Sequence, residues 1–534
     1  MAHRITRDNL YGRLIFDIHH HTKNSKAFYS AHAKLVASEW SRPPGRRPFN
    51  QVVWGIFTGS DPYRRILDIT LLNPMSVVRF GWAMFAQTIR LLCRMDDENF
   101  LCGEPEQKKN ILILGCGFGG LYTALNLQKV LRRDKSYAIV MVGNENFFLF
   151  TPFLDKVACG AIEAQHIAYP IRRLRRHPRF YFHKDDVRSI DLEGKKVVTG
   201  RGVLNYDFLV LALGSTTDTR QLPSFENNVF FLKTLFDGLI IRNHMISIFE
   251  QADVTPQADK QSHLLTFVVV GGGYTGVQLI TEINDFIRGS LVKGYRRIYP
   301  ALIKIILVEG GPRIMGEMDE QLADDALAYL KSQGIEVLLN SCVTGMSEKT
   351  IEINDKRTIF THTIVWATGV VANPIVAQLP VDKDDSGRIK VNECLQVRGY
   401  PKVYGVGDNA CFIDRRTGEA LPPRAHFAIR EAKVAARNIW ADIRGKRTKA
   451  YNNGSNPAIV SLGSRAAVAD IYGFHLHGMG ARFLWLVSYL MLMKGILNRV
   501  RVATDWLLNR IFGRDTTLLR VEKSRSRGSM DDKE

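Results

Sequence analysis

The sequence predicts an α/β protein in which two similar βαβ units, each opening on a glycine-rich turn, precede an amphipathic helical C-terminus. Three observations predict it. Ile111-Leu112-Ile113-Leu114 runs into Gly115-Cys116-Gly117-Phe118-Gly119-Gly120, and Phe267-Val268-Val269-Val270 runs into Gly271-Gly272-Gly273-Tyr274-Thr275-Gly276. From residue 110 onward, apolar strand-like segments alternate with helical patterns, the order of a parallel sheet. Residues 480–512 then change to apolar residues spaced by three and four, interleaved with arginines.

Both turns read G-x-G-x-x-G. The first glycine (Gly115, Gly271) makes the tight turn, the second (Gly117, Gly273) admits a pyrophosphate, and the third (Gly120, Gly276) lets helix and strand pack closely. The phosphates then meet the free N–H groups of a helix N-terminus. One such motif is weak evidence. Two, each in strand–turn–helix context, predict two Rossmann-like dinucleotide-binding domains.

The remaining elements follow in order. After the first turn, Leu121 to Leu131 reads as a helix, Tyr137 to Val142 as a buried strand, and Tyr206 to Gly214 as a strand ending in glycine. The second unit repeats the order: strand 267–270, a helix from about 275, strand Ile303 to Val308, and strand Thr363 to Ala367 before Thr368-Gly369. Phe483 to Met493 is uncharged but far shorter than the ~20 residues that span a bilayer. Beyond it, Ile496, Val500, Ala503, Leu507 and Ile511 share one helical face, with Arg499, Arg501 and Arg510 between them. That pattern suits a helix lying in an anionic membrane surface; packing on its own domain or on a partner in a homodimer is the alternative. The domains expected are an N-terminal extension (1–105), a first dinucleotide domain in two parts (106–262 and 375–455), a second dinucleotide domain (263–374), and a membrane-association region with a polar tail (456–534).

The formal charge of +19 over 534 residues points to polyanions: nucleic acid, an anionic membrane or phosphorylated ligands. No motif supports nucleic acid, which ranks last. Seven scattered cysteines lack zinc-like spacing, fit a reducing compartment and predict no metal site; the His19-His20-His21 run is too short to change that. The N-terminus has no apolar core followed by a small-residue cleavage site, which predicts no secretory signal.

The acid after each turn distinguishes the nucleotides. Ile306-Leu307-Val308 ends in Glu309, whose carboxylate suits both ribose hydroxyls of NADH and repels a 2′-phosphate. The matching position of the first unit is Gly143, with Glu145 two residues on. Val403-Tyr404-Gly405-Val406-Gly407-Asp408 adds a strand that ends in a carboxylate.

In this order, the two turns, Leu213-Gly214-Ser215, Glu309, Thr368-Gly369 and Gly407-Asp408 resemble the two-dinucleotide flavoproteins of the pyridine nucleotide-disulfide oxidoreductase superfamily. The closer resemblance is to type II, non-proton-pumping NADH dehydrogenases, which are NADH:quinone oxidoreductases. It rests on Phe150-Thr151-Pro152, Val157-Ala158-Cys159-Gly160, the run from Thr363 to Val370, Leu421-Pro422-Pro423-Arg424-Ala425-His426 and Val460-Ser461-Leu462-Gly463, and it covers about 110–520. The resemblance implies FAD on Gly115, Gly117 and Gly120, with Gly214 nearby and Asp408 on the ribityl chain. Thr151, Pro152, Ala425 and His426 would border the flavin ring. NADH would sit on Gly271, Gly273, Gly276, Glu309, Thr368 and Gly369, quinone would be the acceptor, and the enzyme would lie peripherally on the cytoplasmic face of its membrane.

Two departures accompany the resemblance. The glutamate that the family places two residues after the second turn is Gln278 here, whereas Glu282 matches; both are candidate catalytic residues. His426 and Arg430 stand where the family commonly has glutamines; a histidine titrating near neutrality would donate a proton to quinone, and an arginine would stabilise its anion. Disulfide-reducing relatives carry two cysteines after the first fold, where this chain has only Cys159. A sulfide:quinone reductase-like protein, a diaphorase or a membrane-bound dinucleotide sensor are the alternatives.

Overall fold

The computed structural model describes residues 109–519, apart from 135, 177–178, 223–228, 455–456 and 472. The His19–His21 run and the rest of the N-terminal extension (1–105), with Cys93 and Cys102, and the polar tail therefore lie outside the described residues.

The first unit supplies strands β1 (Lys109–Leu114), β2 (Tyr137–Gly143), β3 (Phe180–Lys184) and β4 (Phe208–Leu211), and the second supplies β5 (Val229–Phe231), β6 (Thr266–Val270), β7 (Lys304–Val308), β8 (Glu336–Leu338) and β9 (Thr363–Trp366). The chain then returns to the first sheet with β10 (Gln396–Val397) and β11 (Tyr400–Gly405). The first sheet has the order β10-β11-β4-β1-β2-β3 and the second β5-β9-β6-β7-β8. All pairings are parallel except that of β10 with β11. The central strands carry near-continuous apolar runs because both faces of each sheet are covered, one by helices and the other by a small antiparallel sheet, residues 187–205 in the first unit and 343–360 in the second: Ile111 to Leu114 and Phe267 to Val269 are all buried.

The helices that matter for the site are α1 (Phe118–Val130), α2 (Leu154–Ala158), α3 (Leu235–Val254), α4 (Tyr274–Phe286) and α5 (Ala425–Ile443). Helices α1 and α4 start at the two glycine turns, and α5 packs along α1. A three-stranded antiparallel sheet not foreseen in the sequence, β12 (Ala458–Leu462), β13 (Ala466–Ile471) and β14 (Phe474–His477), leads to α6 (Gly478–Leu492) and α7 (Ile496–Phe512). Its strands are short and interrupted by Gly463 and Gly473 at positive φ, so no long alternating pattern marks them.

Helix α7 turns its apolar stripe outward. Ile496, Val500, Leu507 and Ile511 are exposed, joined by Met479, Phe483 and Met491 of α6. The inward face docks by buried Val502, by Trp506 against Phe153 and Trp485, and by polar groups: Asn498 donates to the Ala168 carbonyl, Asn509 to that of Ala161, and Asp505 meets His166 at 2.6 Å. Among the described residues, no helix is long and apolar enough to cross a membrane.

Candidate functional site

The two glycine turns have nearly identical backbones. Gly115 and Gly271 adopt φ of +105° and +106°, a region that only glycine enters without strain. A Cβ on Gly120 would collide with the Gly115 carbonyl, and one on Gly276 with that of Gly271. Above Gly117 and Gly273 the space is open, as a pyrophosphate at each helix start requires.

Behind the second turn, Glu309 is part of the loop itself. Its carboxylate accepts the Gly272 N–H at 2.5 Å and the Gly311 N–H at 2.7 Å, so it is aimed before any ribose arrives. Thr368 and Gly369 are exposed where β9 ends, and the Gly271 turn packs against the backbone of Ala367 and Thr368. At the first turn, Cys116 takes the space that a side chain on residue 143 would fill. Glu145 lies close enough to Cys116 to help burial push that thiol up to about 12, although burial dominates.

Asp408 follows β11 and faces a small polar relay. Lys233 donates to Ser215 Oγ at 2.7 Å, and Ser215 donates to Asp408 at 2.7 Å, with Lys233 Nζ 3.7 Å from the same carboxylate. Buried Asn409 holds the loop by accepting the Gly214 N–H and donating to the Leu211 carbonyl, both at 2.9 Å. Glu431, fully buried on α5, accepts the Gly407 N–H at 2.7 Å; burial raises it to about 7, aided by Asp408 and opposed by that N–H. Open cradles above both turns and a preset carboxylate, Glu309, behind the second fit two dinucleotides.

The two sites meet at Arg424 and Tyr274. Arg424, at the N-cap of α5, pairs with Glu317 and lays its guanidinium over the ring of Tyr274, the first residue of α4, 4.6 Å from its centroid. Ala425 and His426 come next on α5, half-buried. Thr151 and Pro152 open the 3₁₀ turn that leads into α2, and its last residue, Phe153, packs against Phe150, Trp485 and Tyr489. His426 corrects the expectation of a group titrating near neutrality: burial, with the charges of Arg424 and Arg430, lowers it to about 4, so it is a neutral imidazole at pH 7. Arg430 donates to the Asn453 carbonyl.

Gln278 and Glu282 lie one turn apart on α4. Gln278 Oε1 accepts the Ser461 N–H at 3.3 Å, while Glu282 is buried and pairs with Lys156 at 2.6 Å and with Arg514 at 2.8 Å. Lys156, equally buried, also meets Asp155 at 2.9 Å and donates to Ser461 Oγ, which accepts Arg482 as well. The cations outweigh desolvation and hold Glu282 down to about 2.

Sequence reading passed over Lys156, Ser215, Lys233, Arg424, Glu431 and Arg514. Ser215 and Arg424 stood inside quoted motifs, without a role of their own. The others belong to no short motif, because their partners are up to 305 residues away.

The comparisons agree with this architecture. A family model described as pyridine nucleotide-disulphide oxidoreductase matches residues 109–436, and one described as NDH2 C-terminal domain matches 457–515. A protein of Dictyostelium discoideum named Probable NADH dehydrogenase is 29% identical over 423 residues, which cover 77% of this chain and 92% of that protein. The Type II NADH:quinone oxidoreductase of Staphylococcus aureus is 26% identical over 382 residues, covering 71% of this chain and 94% of its own. The solved structure of NDH2 from Plasmodium falciparum in complex with NADH superposes with a TM-score of 0.71 at 20% identity, covering 77% of this chain and all of that one.

Proposed function

The chain belongs to the pyridine nucleotide-disulphide oxidoreductase family, whose model spans residues 109–436, and from that premise we propose that it is an FAD enzyme that oxidises NADH and reduces a membrane quinone without pumping protons. The observation that carries this reading is the contact between Arg424 and Tyr274, which brings the starts of α5 and α4 together so that two nucleotide sites share one cleft. The curated relatives named for NADH and quinone support the choice of donor and acceptor.

FAD, when bound, supplies a centre that takes a hydride from nicotinamide and returns electrons to a second acceptor. The chain supplies position and electrostatics. Gly115, Gly117 and Gly120 with the first turn of α1 receive one pyrophosphate, and Asp408, oriented by Ser215 and Lys233, receives hydroxyls of the ribityl chain. Gly271, Gly273 and Gly276 receive the other, and Glu309 selects NADH through its ribose. Gln278, whose Oε1 accepts the Ser461 N–H, would present an uncharged amide to the nicotinamide. Neutral His426 donates a hydrogen bond rather than a proton at pH 7, and its buried Nε2 has no protein partner. Cys159 is fully buried with its thiol pushed well above the ordinary range, chiefly by burial, which disfavours a thiol-based reaction.

The exposed apolar face of α6 and α7, flanked by Arg501 and Arg510, would lie in an anionic membrane interface on the side where NADH is available. A homodimer burying the same face is the competing arrangement. Anaerobic titration with NADH followed by a short-chain quinone tests the activity: the flavin spectrum should bleach and then return. A protein that keeps its flavin oxidised under NADH sinks the reading.

A further inference from the structure

After α7 the chain turns at Gly513 (φ +83°) and runs back across α3 as a strap. Arg242 of α3 donates to the carbonyls of Asp515 and Thr517, both at 3.1 Å, and Asn243 donates to that of Leu519 at 2.6 Å. The strap's first side chain, Arg514, is driven inward. One guanidinium nitrogen reaches the Cys159 carbonyl at 3.1 Å, another pairs with Glu282 at 2.8 Å, and the backbone N–H donates to Ser290 Oγ at 3.2 Å. Its side chain is only 10% exposed, and that of Glu282 only 1%.

We propose that Arg514 is a positioning residue for the NADH half-reaction, setting the placement of α4 against the segment that borders the flavin. The proposal rests on the reading above. Six charged side chains converge where three segments meet. Lys156, Arg482 and Arg514 supply three cations, and Asp155, Glu282 and Asp285 supply three anions. Asp155 and Lys156 belong to α2, which follows Thr151-Pro152; Glu282 and Asp285 belong to α4, which begins at the nucleotide turn; Arg482 and Arg514 belong to the C-terminal region. Arg514 alone arrives on the strap.

The balance matters because a buried charge without a counter-charge is costly, and the surroundings move or hydrate to relieve it. Without Arg514, Glu282 keeps one direct ion pair, with Lys156, and the more distant charge of Arg482, while Asp285, 4.0 Å from the guanidinium, loses its ion-pair partner. The element that yields is α4, which also carries Gln278 and, at its first residue, the Tyr274 that meets Arg424. A shift of about 1 Å in a donor site costs on the order of a hundredfold in rate. Folding of the flavin domain does not depend on the strap to the same degree, since its core forms around β1, β2 and β4.

The test uses the full-length holoenzyme and three variants: Arg514→Gln, Glu282→Gln, and the two together, which restores equal numbers of opposite charges. Rapid-mixing spectra give the rate of flavin bleaching and the NADH dissociation constant, and hydrogen exchange reports on residues 274–286 in the absence of NADH. R514Q is expected to bleach roughly tenfold more slowly or worse, with flavin content unchanged and faster exchange along α4. The double variant is expected to recover most of the protection along α4 and to bleach faster than E282Q alone. R514Q rates and exchange equal to wild type overturn the proposal, as does a loss of protection that the second substitution leaves unrepaired. If R514Q loses its flavin, the double variant is compared with E282Q, which has one cation in excess; no gain in protection or rate over E282Q also overturns it. A wild-type protein that NADH leaves oxidised refutes the proposed function instead, whereas the exchange comparison still judges Arg514.

Discussion

Arg514 and Glu282, 232 residues apart, form a 2.8 Å ion pair with almost no access to solvent. The pair ties the end of the described chain to the helix that opens the second nucleotide site. Lys156 completes it from the other side, so the nucleotide units and the C-terminal region share one buried electrostatic centre.

Truncating Lys156 to Ala should therefore be among the most destabilising substitutions in the chain. Removing one partner of a buried pair costs about 3–5 kcal/mol, and the loss includes the cation–π contact of Lys156 with Trp485. Thermal unfolding of the flavin-loaded protein measures it; a change near that of a surface lysine would show the pair to be dispensable.

The two glycine turns should fail separately. Gly120→Ala places a methyl against the Gly115 carbonyl and is expected to yield protein without flavin, whereas Gly276→Ala, meeting the Gly271 carbonyl, should keep flavin but lose bleaching by NADH. Flavin content after denaturation and a NADH titration distinguish the two outcomes.

Glu309 holds the loop, and in the proposed reading it also selects the nucleotide. Glu309→Gln is expected to weaken NADH roughly tenfold and to narrow the preference over NADPH, because the charge that repels a 2′-phosphate is gone. An unchanged KM ratio for the two nucleotides would remove the carboxylate from nucleotide selection.

Glu431 predicts a pH effect on stability. Its folded value, about 7, lies above the ordinary 4.5, so its contribution is fully present below about pH 4.5 and is lost as pH rises toward and past 7. The loss amounts to about 3 kcal/mol. Glu431→Gln should flatten that part of the profile in denaturant unfolding measured from pH 4.5 to 8, and an unaltered slope would count against a buried, protonatable carboxyl.

Substituting Leu507 and Ile511 by Asp places charge on the exposed apolar face of α7 without touching its docked side. Binding to anionic vesicles should fall at least tenfold while NADH still bleaches the flavin. If vesicle binding persists but sedimentation changes, the face is a dimer contact.

The glycine turns, Glu309 and Asp408 were legible because nucleotide binding needs particular residues at short, fixed spacings next to a strand. The outward stripe of α7 was legible as amphipathic, yet its direction was not: a 3–4 spacing is the same whether the stripe faces a core or a bilayer, and the docking of Asn498, Val502, Asp505, Trp506 and Asn509 turned it outward. His426 read as an ordinary imidazole until burial beside Arg424 and Arg430 lowered it.

The sequence alone determined the two mainly parallel sheets and the two glycine turns, and it carried the expectation of NADH, because each follows from backbone sterics and charge within a few neighbouring residues. Tertiary structure decided the rest. It brought Tyr274 under Arg424, set Lys233 and Ser215 on Asp408, and drew Lys156, Glu282 and Arg514 into one charge cluster. Those groups acquire their chemistry only from partners far along the chain, through burial and Coulomb interactions that local spacing does not encode.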